Sequence, residues 1–172
     1  MSVALEEMSG YARGIVARLG MEAHPEGGWY VRDWQSPLAY RTDNPDGGLD
    51  GRPLASLIYF LLPQGDASAW HKVDADEIWL WHGPAPVTLQ LGGDGERPDE
   101  AGATTIRLGA GLAVPDGPEP AASDAAGDGA PVAGHAVVPA GLWQRTVPGT
   151  GDALVSCVVS PGFTFDGFVL DR

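Results

Sequence analysis

Lysine is almost missing from this chain. One residue, Lys72, stands beside nine arginines against 23 acidic residues. The formal charge of -13 sets aside nucleic acid and anionic membrane as main partners, because both are gripped by clustered basic side chains. Cysteine is equally scarce. The one thiol, Cys157, cannot form an internal disulfide. Its place in the apolar run from Ala153 to Val159 reads as a small buried hydrophobe rather than a reactive nucleophile. No apolar run approaches the roughly 18 residues that suggest a membrane span. The N-terminus carries Glu6 and Glu7 rather than a basic segment ahead of an apolar one. A cytoplasmic location with no membrane partner is the expectation. Glycine-rich phosphate loops, nucleophile elbows and paired-cysteine zinc spacings are also lacking.

What remains is 172 residues rich in glycine and proline, a length that suits a single domain over 1–172 with one sizeable core. Leu5, Met8, Tyr11, Ile15 and Leu19 recur at spacings of three and four. That period predicts an amphipathic helix over 2–19, capped by Ser2 and stopped by Gly20. Beyond it come short segments rich in aromatic and β-branched residues, divided by Gly, Pro and Asp turns. They predict strands at 28–34, 54–62, 68–73, 77–82, 86–91, 104–108, 135–138, 144–147, 153–159 and 165–170. One helix followed by many closely spaced strands predicts an all-β sandwich or barrel. From 115 to 134 the chain is mostly Ala, Gly, Pro and Asp. With little to bury, it reads as an acidic flexible loop inserted between strands, and 44–51 reads as a smaller turn of the same kind.

Four blocks carry groups capable of chemistry. His71 and Glu77 are six apart, so two extended segments around a turn at Asp74-Ala75-Asp76 can turn both toward one face together with Val73, with Lys72 pointing away. The same parity continues through Trp79 and Trp81, which suits a concave apolar pocket with a few convergent polar groups. A bland alternative has His71 and Glu77 hydrogen-bonding across a strand pair. The second block, His24-Pro25-Glu26-Gly27-Gly28-Trp29-Tyr30 with Arg32, is either a glycine turn into an edge strand with Glu26 and Arg32 in solvent, or a polar rim over that pocket. The third, Pro139 to Gln144, delivers Trp143 and an amide able to orient a hydroxyl or carbonyl, though a poor ligand for a transition metal. The fourth, Ser160 to Phe165, reads as aromatic packing at a corner. His82 and His135 stand alone and read as structural.

Six strings in order, His24-Pro-Glu-Gly-Gly, Leu57 to Leu62, Ser68-Ala-Trp-His71, Asp76-Glu-Ile-Trp79, Pro139 to Gln144 and Ser160-Pro-Gly-Phe163, resemble the small single-domain cupins of the cupin-5 family. The resemblance implies a β-jelly-roll barrel with a ligand-sized cavity, usually assembled as a homodimer. Against the two-part metal site of cupins, His71 and Glu77 stand where a histidine and a glutamate belong, while Val73 and Gln144 stand where two more histidines would be. The 115–134 segment looks longer than the family needs.

Three functions follow. The first is a metal-free isomerase or epimerase acting on a carbohydrate-like substrate, with His71 as base held by Asp76 or Glu77, Tyr59 as acid from the neighbouring strand, and Gln144 or Arg32 polarising the substrate. The second is a metal-dependent dioxygenase or isomerase with a divalent metal on His71 and Glu77. That pair falls short of a two-histidine-one-carboxylate iron site unless His24 or Gln144 completes it. The third is a non-catalytic binder whose small-molecule ligand stacks on Trp79, Trp143 and Phe163. In all three, His24, Glu26, Trp29 and Arg32 are candidate ligand contacts.

Overall fold

The computed structural model describes residues 2–41, 49–110 and 132–171. Among these residues one α-helix, α1 (Gly10–Leu19), precedes twelve strands. The first sheet contains β1 (Glu22–Ala23), β2 (Trp29–Gln35), β3 (Ser56–Leu62), β11 (Ala153–Ser160), β5 (Asp76–Pro84) and β9 (His135–Val138), hydrogen-bonded in that order. The second contains β12 (Phe168–Leu170), β4 (His71–Val73), β10 (Gln144–Val147), β6 (Val87–Leu91), β7 (Thr104–Leu108) and β8 (Val132–Ala133). All pairings are antiparallel except β7 with β8. Phe60, Trp79, Val155 and Cys157 from the first sheet meet Val87, Leu89 and Leu108 from the second in one buried cluster. The architecture is thus an all-β jelly-roll sandwich of two separate ladders, rather than a ladder closed into a barrel.

Period-two alternation decides which side of the first sheet each residue serves. Along β3, Ile58 and Phe60 face the inner cluster while Tyr59 and Leu61 face outward, where α1 covers them. The buried stripe of α1 and its approach is Met8, Ala12 and Val16, and Tyr11 is exposed. Met8 and Val16 each contribute about 1.5–3 kcal/mol by this burial, and the Ala12 methyl about 0.8.

The helix begins later than its period predicts. Leu5–Glu7 form a 3-10 turn, Met8 is extended, and α1 starts after Ser9, whose hydroxyl accepts from the Ala12 amide at 3.0 Å. Ser2 is no cap: its hydroxyl donates to the Gly28 carbonyl at 2.8 Å. Gly20 does end the helix, with φ of 67°. Two expected strands shrink, to His71–Val73 and Phe168–Leu170, and Phe165–Gly167 is a second 3-10 turn. Of the expected 115–134 loop, residues 115–131 lie outside the described residues, and Val132–Ala133 instead form a strand beside β7. Residues 44–48 of the smaller turn also lie outside them.

Candidate acid–base pocket

The chain crosses between the sheets at Asp74-Ala75, so His71 on β4 and Glu77 on β5 reach one cavity from opposite layers. β4 and β5 do not pair, which removes the reading of a simple cross-strand contact. Arg52 holds the crossover. Its Nη1 donates to both Asp74 carboxylate oxygens at 2.8 and 2.9 Å, and its Nε donates to the Gly162 carbonyl at 2.7 Å. That clamp also fixes the corner from which Phe163 enters the cavity.

The His24 to Gly28 loop supplies the other two ionisable groups. Its turn closes by Gly27 N–H to His24 carbonyl at 3.1 Å and His24 N–H to Gly28 carbonyl at 3.0 Å. Gly27 has φ of 110°, and a Cβ there would sit 2.1 Å from the Ala67 carbonyl oxygen, so only glycine fits. The tight turn drives His24 and Glu26 into the interior, both nearly fully buried. Glu26 Oε2 lies 3.3 Å from His24 Nδ1 and 3.4 Å from His71 Nε2. One carboxylate therefore bridges two imidazoles.

Hydrogen bonding fixes the proton on one nitrogen of His71. Its Nδ1 lies 2.9 Å from the Ala69 carbonyl, a pure acceptor, so Nδ1 carries a proton and Nε2 is the nitrogen presented to the cavity. Glu77 is held from behind. Gln144 Nε2 donates to its Oε2 at 2.6 Å, while Gln144 Oε1 accepts from Trp79 Nε1 at 2.9 Å. Burial pushes the Glu77 pKa up; the His71 charge opposes that, the Glu26 carboxylate reinforces it, and hydrogen bonds from Gln144 and Cys157 oppose it. The Cys157 thiol is pushed well above its ordinary value, first by burial and then by the two carboxylates. Above these groups the walls are apolar, with Phe60, Phe163 and Phe168 among them. Phe168 lies 5.6 Å from the His71 ring, and Phe165 stacks 6.1 Å from the His24 ring. The enclosed space for water-sized molecules is about 30 Å³, room for about two waters.

The order of motifs and the two-layer jelly roll match a known family. The family described as Cupin superfamily (DUF985), Cupin_5, matches residues 13–171. The chain belongs to this family. This cupin is similar to a Shewanella oneidensis protein of known structure at 32% identity and TM-score 0.70, covering 94% of this chain and 84% of that one. It is similar also to a hypothetical protein from Leishmania major at 25% identity and TM-score 0.69, covering 94% and 87%. An uncharacterised Klebsiella pneumoniae protein with a double-stranded β-helix domain shares the fold alone, at 11% identity and TM-score 0.50, covering 91% and 94%. No curated protein matches this sequence.

Six of the residues singled out from sequence line the cavity of this cupin: His24, Glu26, Arg32, His71, Glu77 and Phe163. Glu26 is inside it rather than on a solvent-facing rim. Five do not line it. Tyr59 points to the outer face and packs under α1, because it alternates with Ile58 and Phe60. Trp29 joins it there, its Nε1 donating to the Val3 carbonyl at 3.0 Å. Trp143 donates to the Gly95 carbonyl and lies under Lys72, whose ammonium is 4.8 Å from its ring. Trp79 and Gln144 are buried behind Glu77, with their polar atoms spent on each other and on it. The sequence reading missed Tyr30, Phe60, Phe168 and the lining role of Cys157. Parity would have found Phe60, since Arg32 pairs with Ile58 and Tyr30 with Phe60 on the same face.

Glu26 Oε2 already faces both imidazoles, and Gln144 is committed to Glu77 and Trp79. Among the described residues no three His, Cys, Asp or Glu side chains are arranged to hold an ion. No helix among them is long and apolar enough to cross a membrane.

Proposed function

We propose that this cupin is an acid–base enzyme of the isomerase or epimerase kind, acting without a metal on a small carbohydrate-like molecule. The observation that carries the reading is the fixed tautomer of His71. With Nδ1–H held by the Ala69 carbonyl, Nε2 is the nitrogen that faces both the cavity and the Glu26 carboxylate. Nε2 removes a proton from carbon beside a carbonyl, and Glu26 stabilises the imidazolium that forms. Glu77 takes the role first given to Tyr59. Burial favours its protonated form, so it delivers a proton to the carbonyl oxygen as the enolate develops; the imidazolium then returns its proton to carbon and Glu77 recovers one from the enediol hydroxyl that becomes the product carbonyl, which restores both groups. Gln144 does not touch substrate in this scheme; it orients Glu77. A substrate larger than the present cavity enters by displacing Phe165 and Phe168. A homodimer is the accompanying expectation, supported by the exposed Trp34 and Leu38 near the edge of β2 that, among the described residues, β1 covers only at Trp29 and Tyr30. Sedimentation analysis tests it.

The decisive experiment is hydrogen exchange in D2O, followed by NMR, for a set of hydroxy-aldehydes, ketoses and sugar acids. Wild type is expected to catalyse C–H exchange, and His71→Ala to lose about 10²–10⁴-fold of it while keeping ligand affinity within threefold. Exchange that survives in His71→Ala overturns the assignment. Binding with no exchange in wild type would make the protein a binder rather than an enzyme, and metal content in untagged protein that tracks activity would replace the metal-free reading.

A further inference from the structure

The pocket has its carboxyl groups on the floor and its one arginine at the mouth. Tyr30 and Arg32 lie two apart on β2, on the face continued across the sheet by Phe60 and Ile58. Both line the inner cavity, and both also line an outer groove of about 530 Å³ that includes Glu22 and Phe165. The groove is therefore a vestibule, with Tyr30 and Arg32 at its junction with the acid–base pocket. Other arginines are engaged: Arg52 with Asp74, Arg97 with Asp171 and Arg145 with Glu100. Among the described residues Arg32 has no ion pair. It is the one lysine or arginine lining either space.

An anionic group cannot sit on the floor, where the Glu26 carboxylate would repel it and burial raises the cost of a second charge, but it can meet the planar fork of Arg32. The geometry points to a small hydroxy-carboxylate as the substrate, its carboxylate held at the mouth by Arg32, beyond the Tyr30 hydroxyl that already pairs with Glu22, and its uncharged hydroxyl or carbonyl end reaching His71 and Glu77. The inner half of this assignment rests on the acid–base reading above; the outer half stands on Arg32. A single guanidinium suits one carboxylate in a bidentate pair. A phosphate dianion would meet the same single cation with Glu22 close by, and a neutral sugar would leave the guanidinium unused.

Titration calorimetry on the full chain tests this with D-gluconate, D-glucuronate and lactate against D-glucose, propane-1,2-diol and D-glucose 6-phosphate. The carboxylates are expected to bind at least tenfold tighter than their neutral counterparts, and more weakly as salt rises. Arg32→Gln should weaken carboxylate binding tenfold or more without changing neutral binding, and Arg32→Lys should keep part of the preference. Arg32 is exposed, so both variants should melt within about 2 °C of wild type. Absence of carboxylate binding, carboxylate affinity within twofold of wild type in Arg32→Gln, or preference for the phosphate overturns the assignment. Hydrogen exchange on the same ligands separates the two readings. Carboxylate preference without exchange sinks the acid–base reading alone, and exchange without carboxylate preference sinks the Arg32 site alone.

Discussion

Gln144→Leu isolates what the buried amide does for Glu77. The two side chains are similar in volume, so the substitution opens little cavity and its cost is polar. Two groups lose a partner. Trp79 Nε1, wholly enclosed, loses its 2.9 Å acceptor, a loss of about 1–3 kcal/mol. The Glu77 carboxyl loses its 2.6 Å donor, worth about 1.5–3 kcal/mol when the acceptor is charged. The sum is roughly 3–6 kcal/mol where Glu77 is ionised. The second part depends on pH, because Glu77 can escape it by holding its proton. Its folded pKa already lies above the unfolded one, so its contribution is fullest below the unfolded value and is lost as pH rises toward the folded value. Removing the Gln144 donor raises the folded pKa further and extends that loss upward in pH. The gap between wild type and variant should therefore widen with pH.

Denaturant unfolding of both proteins at pH 5 and pH 8 measures that gap directly, and groups far from the site cancel in the difference. At pH 8 the variant should also melt roughly 6 °C or more below wild type, at about 2–4 °C per kcal/mol for a domain of this size. A loss under about 1 kcal/mol at both pH values, or a larger loss at pH 5 than at pH 8, would refute the network as described.

Gly27→Ala should destabilise by at least about 2 kcal/mol, since φ of 110° and the Ala67 carbonyl both oppose a Cβ. The control Gly14→Ala, in α1 with open space around it, should instead add about 0.5–1 kcal/mol. Equal effects in thermal melts would show that the His24 to Gly28 turn is not sterically fixed. Cys157 should react with a thiol reagent at pH 8 at least about 100-fold more slowly in the folded protein than in denaturant, given its burial and raised pKa. Labelling at the denatured rate would contradict its placement in the cavity wall.

The sequence was most legible where a local rule is strong. Thr104–Leu108, His135–Val138 and Gln144–Val147 coincide with the predicted strands, since alternation and flanking turn residues mark strands without tertiary help. The Gly20 stop was legible because a left-handed cap selects glycine. The helix start was not. Ser2 was expected as the cap without an acidic partner at Leu5 to mark it, and the folded contacts place the cap at Ser9 while Ser2 donates to the Gly28 carbonyl. Within the site, parity alone related His71, Val73 and Glu77, but it could not say that the strands lie in different sheets. Tyr59 failed for a related reason: its hydroxyl drew attention to the face that α1 covers, while Phe60, with no polar atom to notice, lines the cavity. Trp79 was correctly expected inside, but inside turned out to mean behind Glu77 rather than against a ligand.

The energetics of the pocket explain why such an arrangement persists. Glu26, Glu77, His24 and His71 are nearly fully buried in one small space. Desolvating four ionisable groups costs several kcal/mol that their mutual contacts only partly offset. Apolar residues of similar size would make a more stable core at the same positions, as Val73 and Val159 do in the same wall. The surrounding structure nevertheless spends other residues on holding them: Arg52 clamps the crossover, Gly27 closes the loop, and Gln144 with Trp79 aligns one carboxyl. Support of this kind does not increase burial of apolar surface; it fixes the positions of proton-carrying atoms. A fold that only needed a core would gain by discarding them, and oriented, hydrogen-bonded ionisable groups are what the proposed acid–base reading requires.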